Sequence, residues 1–163
     1  MVSPGPSVLA RSVIDFVDRA NPCDDRAVNE LEEGTAVQLD YTKLHKIAAT
    51  GCEVVPVVLQ DAETGEVLFI GYANDVALAA TLERQSAVLW STSRNELWHK
   101  GATSGDVLEL VDVWVNCEQN SLLYRVRRAR GGACHTTRAD GSTRPGCYYR
   151  QVLSPTDLGA PTS

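Results

Sequence analysis

Apolar positions follow two regimes along the chain. Before residue 53 they recur at helical spacing. Val8, Leu9, Val13, Ile14, Phe16 and Val17 share one face of a predicted helix, which Asn21-Pro22 interrupts. Asp24 to Leu31 predicts a second short helix. Lys43 to Ala49 predicts a third, capped by Asp40 or Thr42 and ended by Gly51. From Glu53 onward, β-branched runs replace that spacing. Val54 to Leu59, with Pro56 inside it, suits a buried or edge strand. Asp61 to Gly65 predicts a turn and Glu66 to Tyr72 the returning strand. Asn74 or Asp75 predicts the cap of a helix running to about Arg84, and Ala87 to Trp90 another strand. Val107 to Val115 alternates in part. It places Val107, Glu109, Val111, Val113 and Val115 on one face and Leu108, Leu110, Asp112 and Trp114 on the other. Leu122 to Val126 is its expected pairing partner, and Tyr148-Tyr149 the start of a last strand. The predicted fold is α+β, a twisted mixed or antiparallel sheet with peripheral helices. Residues 1–52 read as a helical extension packed on the core, 53–153 as the core domain, and 154–163 as a flexible tail.

A chain of 163 residues fits one domain. Its 15 basic and 21 acidic side chains give a net charge of −6, which argues against a general nucleic-acid or anionic-membrane binder. A small anionic substrate stays compatible, because local basic groups can line a pocket in an acidic protein. No apolar run reaches about 18 residues, so no membrane span is expected. Cysteines stand at 23, 52, 117, 134 and 147. The odd count and the absence of an apolar leader point to a reducing, cytoplasmic setting rather than to disulfides. Cys23 and Cys52 lack a partner pattern and read as plain small side chains, and His45 as a structural residue of its helix.

The chemistry concentrates in two clusters. Cys117, Cys134 and Cys147 are separated by 17 and 13 positions, too far for a compact zinc knuckle, but ligands at strand ends can converge within a chain or across a dimer interface. Three thiolates on zinc would leave a fourth position open to water, which makes metal-assisted hydrolysis the leading chemistry. His135 beside Cys134 is either a proton shuttle or a satisfied polar residue, and His99 a candidate to orient a pocket group. The second cluster runs from Trp90 to Gly105. Arg94 and Lys100 can neutralise phosphate, and Ser91, Ser93, Thr103 and Ser104 offer short donors. Gly101 and Gly105 permit close backbone approach, and Trp90 or Trp98 could cover a base. Without a GxxxxGK[ST] run there is no case for a nucleoside triphosphatase.

In order along the chain, Val57-Val58-Leu59-Gln60-Asp61, Thr64 to Leu68, Gly71-Tyr72-Ala73-Asn74, Trp90-Ser91-Thr92-Ser93-Arg94, Leu97-Trp98-His99-Lys100-Gly101, Thr103-Ser104-Gly105, Leu122-Leu123, Ala133-Cys134-His135-Thr136 and Cys147-Tyr148-Tyr149-Arg150 resemble the phosphoribosyl-AMP cyclohydrolase family. The resemblance runs from about Val54 to Arg150. It implies a cytoplasmic, intertwined homodimer that hydrolyses the N1–C6 bond of a phosphoribosylated adenine ring. It implies zinc held by Cys117, Cys134 and Cys147 and shared between two subunits, with Arg94, Lys100, Thr103 and Ser104 near a small phosphorylated, nucleotide-like substrate.

The departures are specific. The family's Asp-Cys-Asp-x-Asp run, associated with magnesium, reads Asn116-Cys117-Glu118-Gln119-Asn120 here, so a Mg2+ site is expected to be absent or altered. The histidine that usually follows Thr-Ser-Gly, a candidate base, is Asp106. The last two cysteines stand 13 apart where about seven is usual, and the added residues Arg138 to Pro145 are expected to recut the pocket. The reading is a zinc hydrolase of a purine-like C–N bond, with Asp106, His135 or Glu118 moving the proton. A divergent cyclohydrolase or deaminase, and a zinc-stabilised dimer that binds nucleotide without turnover, stay open.

Overall fold

The computed structural model describes residues 30–162. The helix expected over 8–17 and nearly all of that over 24–31 lie outside them; residues 30–33 are helical. Two further helices follow, α1 (Lys43–Ala48) and α2 (Asp75–Arg84), with six strands: β1 (Val55–Asp61), β2 (Val67–Ala73), β3 (Val88–Ser91), β4 (Glu96–His99), β5 (Leu108–Val115) and β6 (Leu122–Arg128). The main sheet has the order β2-β1-β6-β5. It is mixed, because β1 pairs antiparallel with β2 and parallel with β6, while β5 and β6 form an antiparallel hairpin. β3 and β4 form a separate antiparallel pair. Among the described residues no helix is long and apolar enough to cross a membrane.

Local chemistry explains most of these elements. The Asp61 carboxylate accepts hydrogen bonds from the amides of Glu63 and Thr64 and pairs with Arg128 at 2.9 Å, which closes the β1–β2 turn. Burial pushes the Asp61 carboxyl up, but those amides and Arg128 outweigh it and hold it below the usual carboxylate range. Asn74 Oδ1 caps α2 by accepting from Ala77 N at 2.9 Å. Thr81 on α2 is fully buried. Its hydroxyl donates to Val88 O at 2.8 Å and accepts from Val88 N at 3.0 Å, which pins the helix to β3. Val57, Leu59, Leu68, Leu89, Leu108 and Tyr124 anchor the core between the sheet and α2.

Three expectations need correction. The alternation assigned to Val107–Val115 breaks at a bulge between Leu110 and Asp112. The phase flips there, so Leu108, Leu110 and Val113 all pack against the core and Trp114 is 58% exposed. Tyr148-Tyr149 starts no strand; Cys147 N donates to Leu68 O at 2.7 Å and Tyr149 OH to Glu32 O at 2.9 Å, which fixes this stretch as a loop. Glu96–His99, read only as part of a polar cluster, is strand β4. Residues of the expected tail make defined contacts: Val37 N donates to Thr156 O and Leu158 N to Thr35 O. Arg150 donates to the carbonyls of Gly34 and Leu31 and ties the same region to the chain's leading segment.

Candidate active site

A cleft of about 420 Å3 opens between the Lys100–Asp106 turn and the segment that carries Cys134. The turn is built on close backbone packing. Gly101 has φ +82°, and a Cβ there would sit 2.2 Å from the Asp106 carbonyl. Ser104 Oγ accepts from Asp106 N at 3.3 Å. Lys100 and Asp106 are both buried and both line the cleft. Burial pushes the Lys100 ammonium down, while Asp106 and the two thiols behind it pull the other way. Arg94, at the rim, pairs with Glu96 at 2.8 Å, and both side chains stay more than half exposed. His99 also lines the cleft, and its Nε2 is 2.9 Å from Ser86 Oγ, so its ring is fixed from behind.

On the opposite wall, Ala133 N and Cys134 N both donate to Arg144 O, which fixes the Cys134 backbone. Cys134 Sγ lies 3.6 Å from Cys147 Sγ and 3.1 Å from Thr136 Oγ1. Both thiols are free, and the separation is far beyond a disulfide bond of about 2.05 Å. It matches the roughly 3.8 Å expected between two thiolates on one tetrahedral zinc with bonds of about 2.3 Å. The pair holds its proton unequally. A hydrogen bond from Cys147 pulls the Cys134 thiol down to about 3, and the same contact with burial pushes Cys147 up. Beside them His135 is raised to about 9 by Cys134 and by the Glu32 carboxylate 2.9 Å away.

Other predicted residues stand elsewhere. Trp90, Ser91 and Ser93 line a second cavity of about 210 Å3, which Trp98 shares with the main cleft. Cys117 and Glu118 occupy the exposed turn between β5 and β6. Among the described residues of one chain, no third metal-ligating side chain joins Cys134 and Cys147. In that turn Asn116 Nδ2 donates to Asn120 Oδ1 at 2.7 Å, and Asn120 Nδ2 donates to Glu118 Oε2 at 2.8 Å. Asn116 Oδ1 also accepts from the amides of Asn120 and Ser121. Two amides and one carboxylate thus bond one another, a poor donor set for Mg2+.

Sequence reasoning missed several contributors. Thr143 lines the cleft and donates from Oγ1 to Asp106 Oδ2 at 3.2 Å. Arg144 is buried, donates to both Glu33 oxygens at 2.9 and 3.1 Å, and lies 4.2 Å over the Tyr149 ring. The composition of the added loop showed its charge, but nothing local indicated that it folds back on Asp106.

A family model described as phosphoribosyl-AMP cyclohydrolase matches residues 69–149. The chain is 42% identical over 99 residues to a phosphoribosyl-AMP cyclohydrolase of Hyphomonas neptunium, covering 61% of this chain and 70% of that protein. It is 41% identical over 99 residues to one of Chloroherpeton thalassium, covering 61% and 66%. With one of Chlorobium chlorochromatii the identity is 38% over 125 residues, covering 77% and 82%.

Proposed function

The chain belongs to the phosphoribosyl-AMP cyclohydrolase family, and we propose that it hydrolyses the C6–N1 bond of phosphoribosyl-AMP. The observation that carries this reading is the convergence of Lys100, Asp106 and Cys134 on one cleft from segments far apart in sequence, with Cys147 Sγ 3.6 Å from Cys134 Sγ. In the reaction the oxygen of water adds to C6, the C6–N1 bond breaks, and N1 takes up a proton. Asp106 accepts the proton that the water gives up and returns it to N1. Arg94, at the rim, binds phosphate, and Lys100, buried in the cleft wall with Asp106, adds a second positive charge to the substrate site. Trp98 supplies an apolar wall at the mouth.

Cys134 and Cys147 would hold zinc with Cys117 of a second copy, whose exposed position on the β5–β6 turn suits delivery to a neighbour's cleft. When bound, zinc supplies Lewis-acid activation of water. The Asn116, Glu118 and Asn120 network does not suit magnesium, so no step involves that ion, and Glu118 is not assigned the proton.

Incubating zinc-loaded protein with phosphoribosyl-AMP tests the reading. Gain of one water in mass without ammonia is the expected result. Release of ammonia would make the protein a deaminase, and tight binding without conversion would make it a binding module.

A further inference from the structure

Two segments far apart in sequence meet in space: Asp106, which follows Thr103-Ser104-Gly105, and residues 138–145 of the link between Cys134 and Cys147. Thr143, from that link, donates its hydroxyl to Asp106 Oδ2 across 37 positions of sequence. We propose that Thr143 is a positioning residue for Asp106, so that the loop and the carboxylate work as one unit.

The loop is built to hold that hydroxyl. Thr137 and Thr143 form an antiparallel bridge, closed by Arg138 N to Ser142 O at 2.8 Å and Arg144 N to Thr136 O at 3.1 Å. The Thr143 side chain packs on Gly132, where a Cβ would come within 2.5 Å of Thr143 Cβ and Cγ2. The next residue, Arg144, is anchored by Glu33 and Tyr149. Backbone, methyl and neighbouring side chain therefore fix Thr143 before its hydroxyl is used.

Asp106 needs such a partner. The terminal torsion of an aspartate is broad, so its carboxylate does not hold one plane unaided. It shares the cleft with the Lys100 ammonium, toward which a free carboxylate would turn. A hydrogen bond to Oδ2 opposes that rotation and keeps the group aimed at substrate. A general base is effective only within hydrogen-bond reach of the proton it takes.

This inference rests on the assignment of Asp106 as proton acceptor, and the experiment separates the two. Steady-state kinetics on phosphoribosyl-AMP are measured for the zinc-loaded protein and for Thr143→Val, Thr143→Ser, Asp106→Asn and the Asp106→Asn/Thr143→Val double variant. Thr143→Val, which keeps the shape, is expected to lower kcat on the order of ten-fold with KM within about two-fold. Thr143→Ser keeps the hydroxyl and is expected to restore kcat to within about three-fold. The double variant is expected to be no slower than Asp106→Asn alone, because the hydroxyl acts through the carboxylate. If Thr143→Val does not fold, Thr143→Ala against Thr143→Ser reads the same contrast. A large loss in Asp106→Asn with unchanged kcat in Thr143→Val overturns the positioning role alone. Multiplying effects in the double variant do the same. Unchanged turnover in Asp106→Asn overturns both assignments.

Discussion

The cleft wall and the β5–β6 turn carry the same kinds of residue and are finished to different degrees. In the cleft, Cys134 and Cys147 are brought to 3.6 Å by separate backbone anchors, and Lys100 and Asp106 are buried beside them. In the turn, Cys117 is exposed and its neighbours bond one another. Folding of one chain brings the two thiols of the first region together. The second is satisfied as a turn and leaves its single thiol exposed. Residue type alone does not separate these cases, because burial and partners decide whether a thiol is placed for chemistry within its own chain.

The sharpest way to break that contrast is to disable each region in a different copy. Cys117→Ser and Cys134→Ser are each expected to lose zinc and to lower turnover by on the order of 100-fold or more. If the two regions meet across a dimer, unfolding and refolding the variants together restores about a quarter of wild-type activity, because half of the pairs are mixed and each mixed pair holds one intact site of two. Metal analysis and turnover of the mixture check this. No recovery, with dimers confirmed by sedimentation, would place Cys117 outside the site.

A smaller effect is expected within the cleft. Lys100→Met keeps the stem and removes the charge. It is expected to raise KM for phosphoribosyl-AMP on the order of 10-fold or more, in keeping with loss of a charge-assisted contact of about 1.5–3 kcal/mol. Steady-state kinetics decide it. An unchanged KM with a lower kcat would move Lys100 from substrate binding to the thiolates and Asp106 that it faces.

Legibility in the sequence followed the range of the interactions. The β1–β2 hairpin, the Asn74 cap and the β5–β6 pairing rest on neighbouring residues, and local pattern predicts them. Strand β4 is four residues long and mostly exposed, so it has too little apolar alternation to be seen. The bulge near Val111 reversed the faces of β5 because two-residue periodicity carries no sign of an inserted residue. The motifs around Lys100 and Cys134 stand out in the sequence as candidates for chemistry, and both line the cleft. The contacts of Thr143 with Asp106 and of Arg144 with Glu33 join positions 37 and 111 apart, and no local rule reaches that far.

Arg144 gives the next effect in size. Arg144→Met removes the Glu33 contacts, the hydrogen bond to Thr162 O at 3.3 Å and the stacking on Tyr149. Glu33 is partly exposed, so solvent recovers part of the loss and the expected cost is about 2 kcal/mol. The urea midpoint of the intact protein measures it. A midpoint shift without loss of turnover would show that the loop keeps Thr143 in place by its backbone bridge alone.

The smallest expected effect sharpens the contrast from the side of the turn. In the natural sequence, Asn116 and Asn120 each act as donor and acceptor, and Glu118 takes one of the resulting bonds. Asn116→Asp with Asn120→Asp removes both amide donors and sets three carboxylates together. The turn is exposed, so water and salt absorb most of the repulsion, and the expected loss is under about 1 kcal/mol. Thermal melting without divalent ions reads that loss. Three carboxylates offer Mg2+ the hard oxygen donors that the amides withhold. Millimolar Mg2+ is therefore expected to recover the melting temperature of the double variant and to leave the natural chain unmoved. Equal stabilisation of both proteins by Mg2+ would mean that the amide network does not exclude the ion. No response from either would mean that this turn lacks the backbone geometry to hold a metal even with the right side chains.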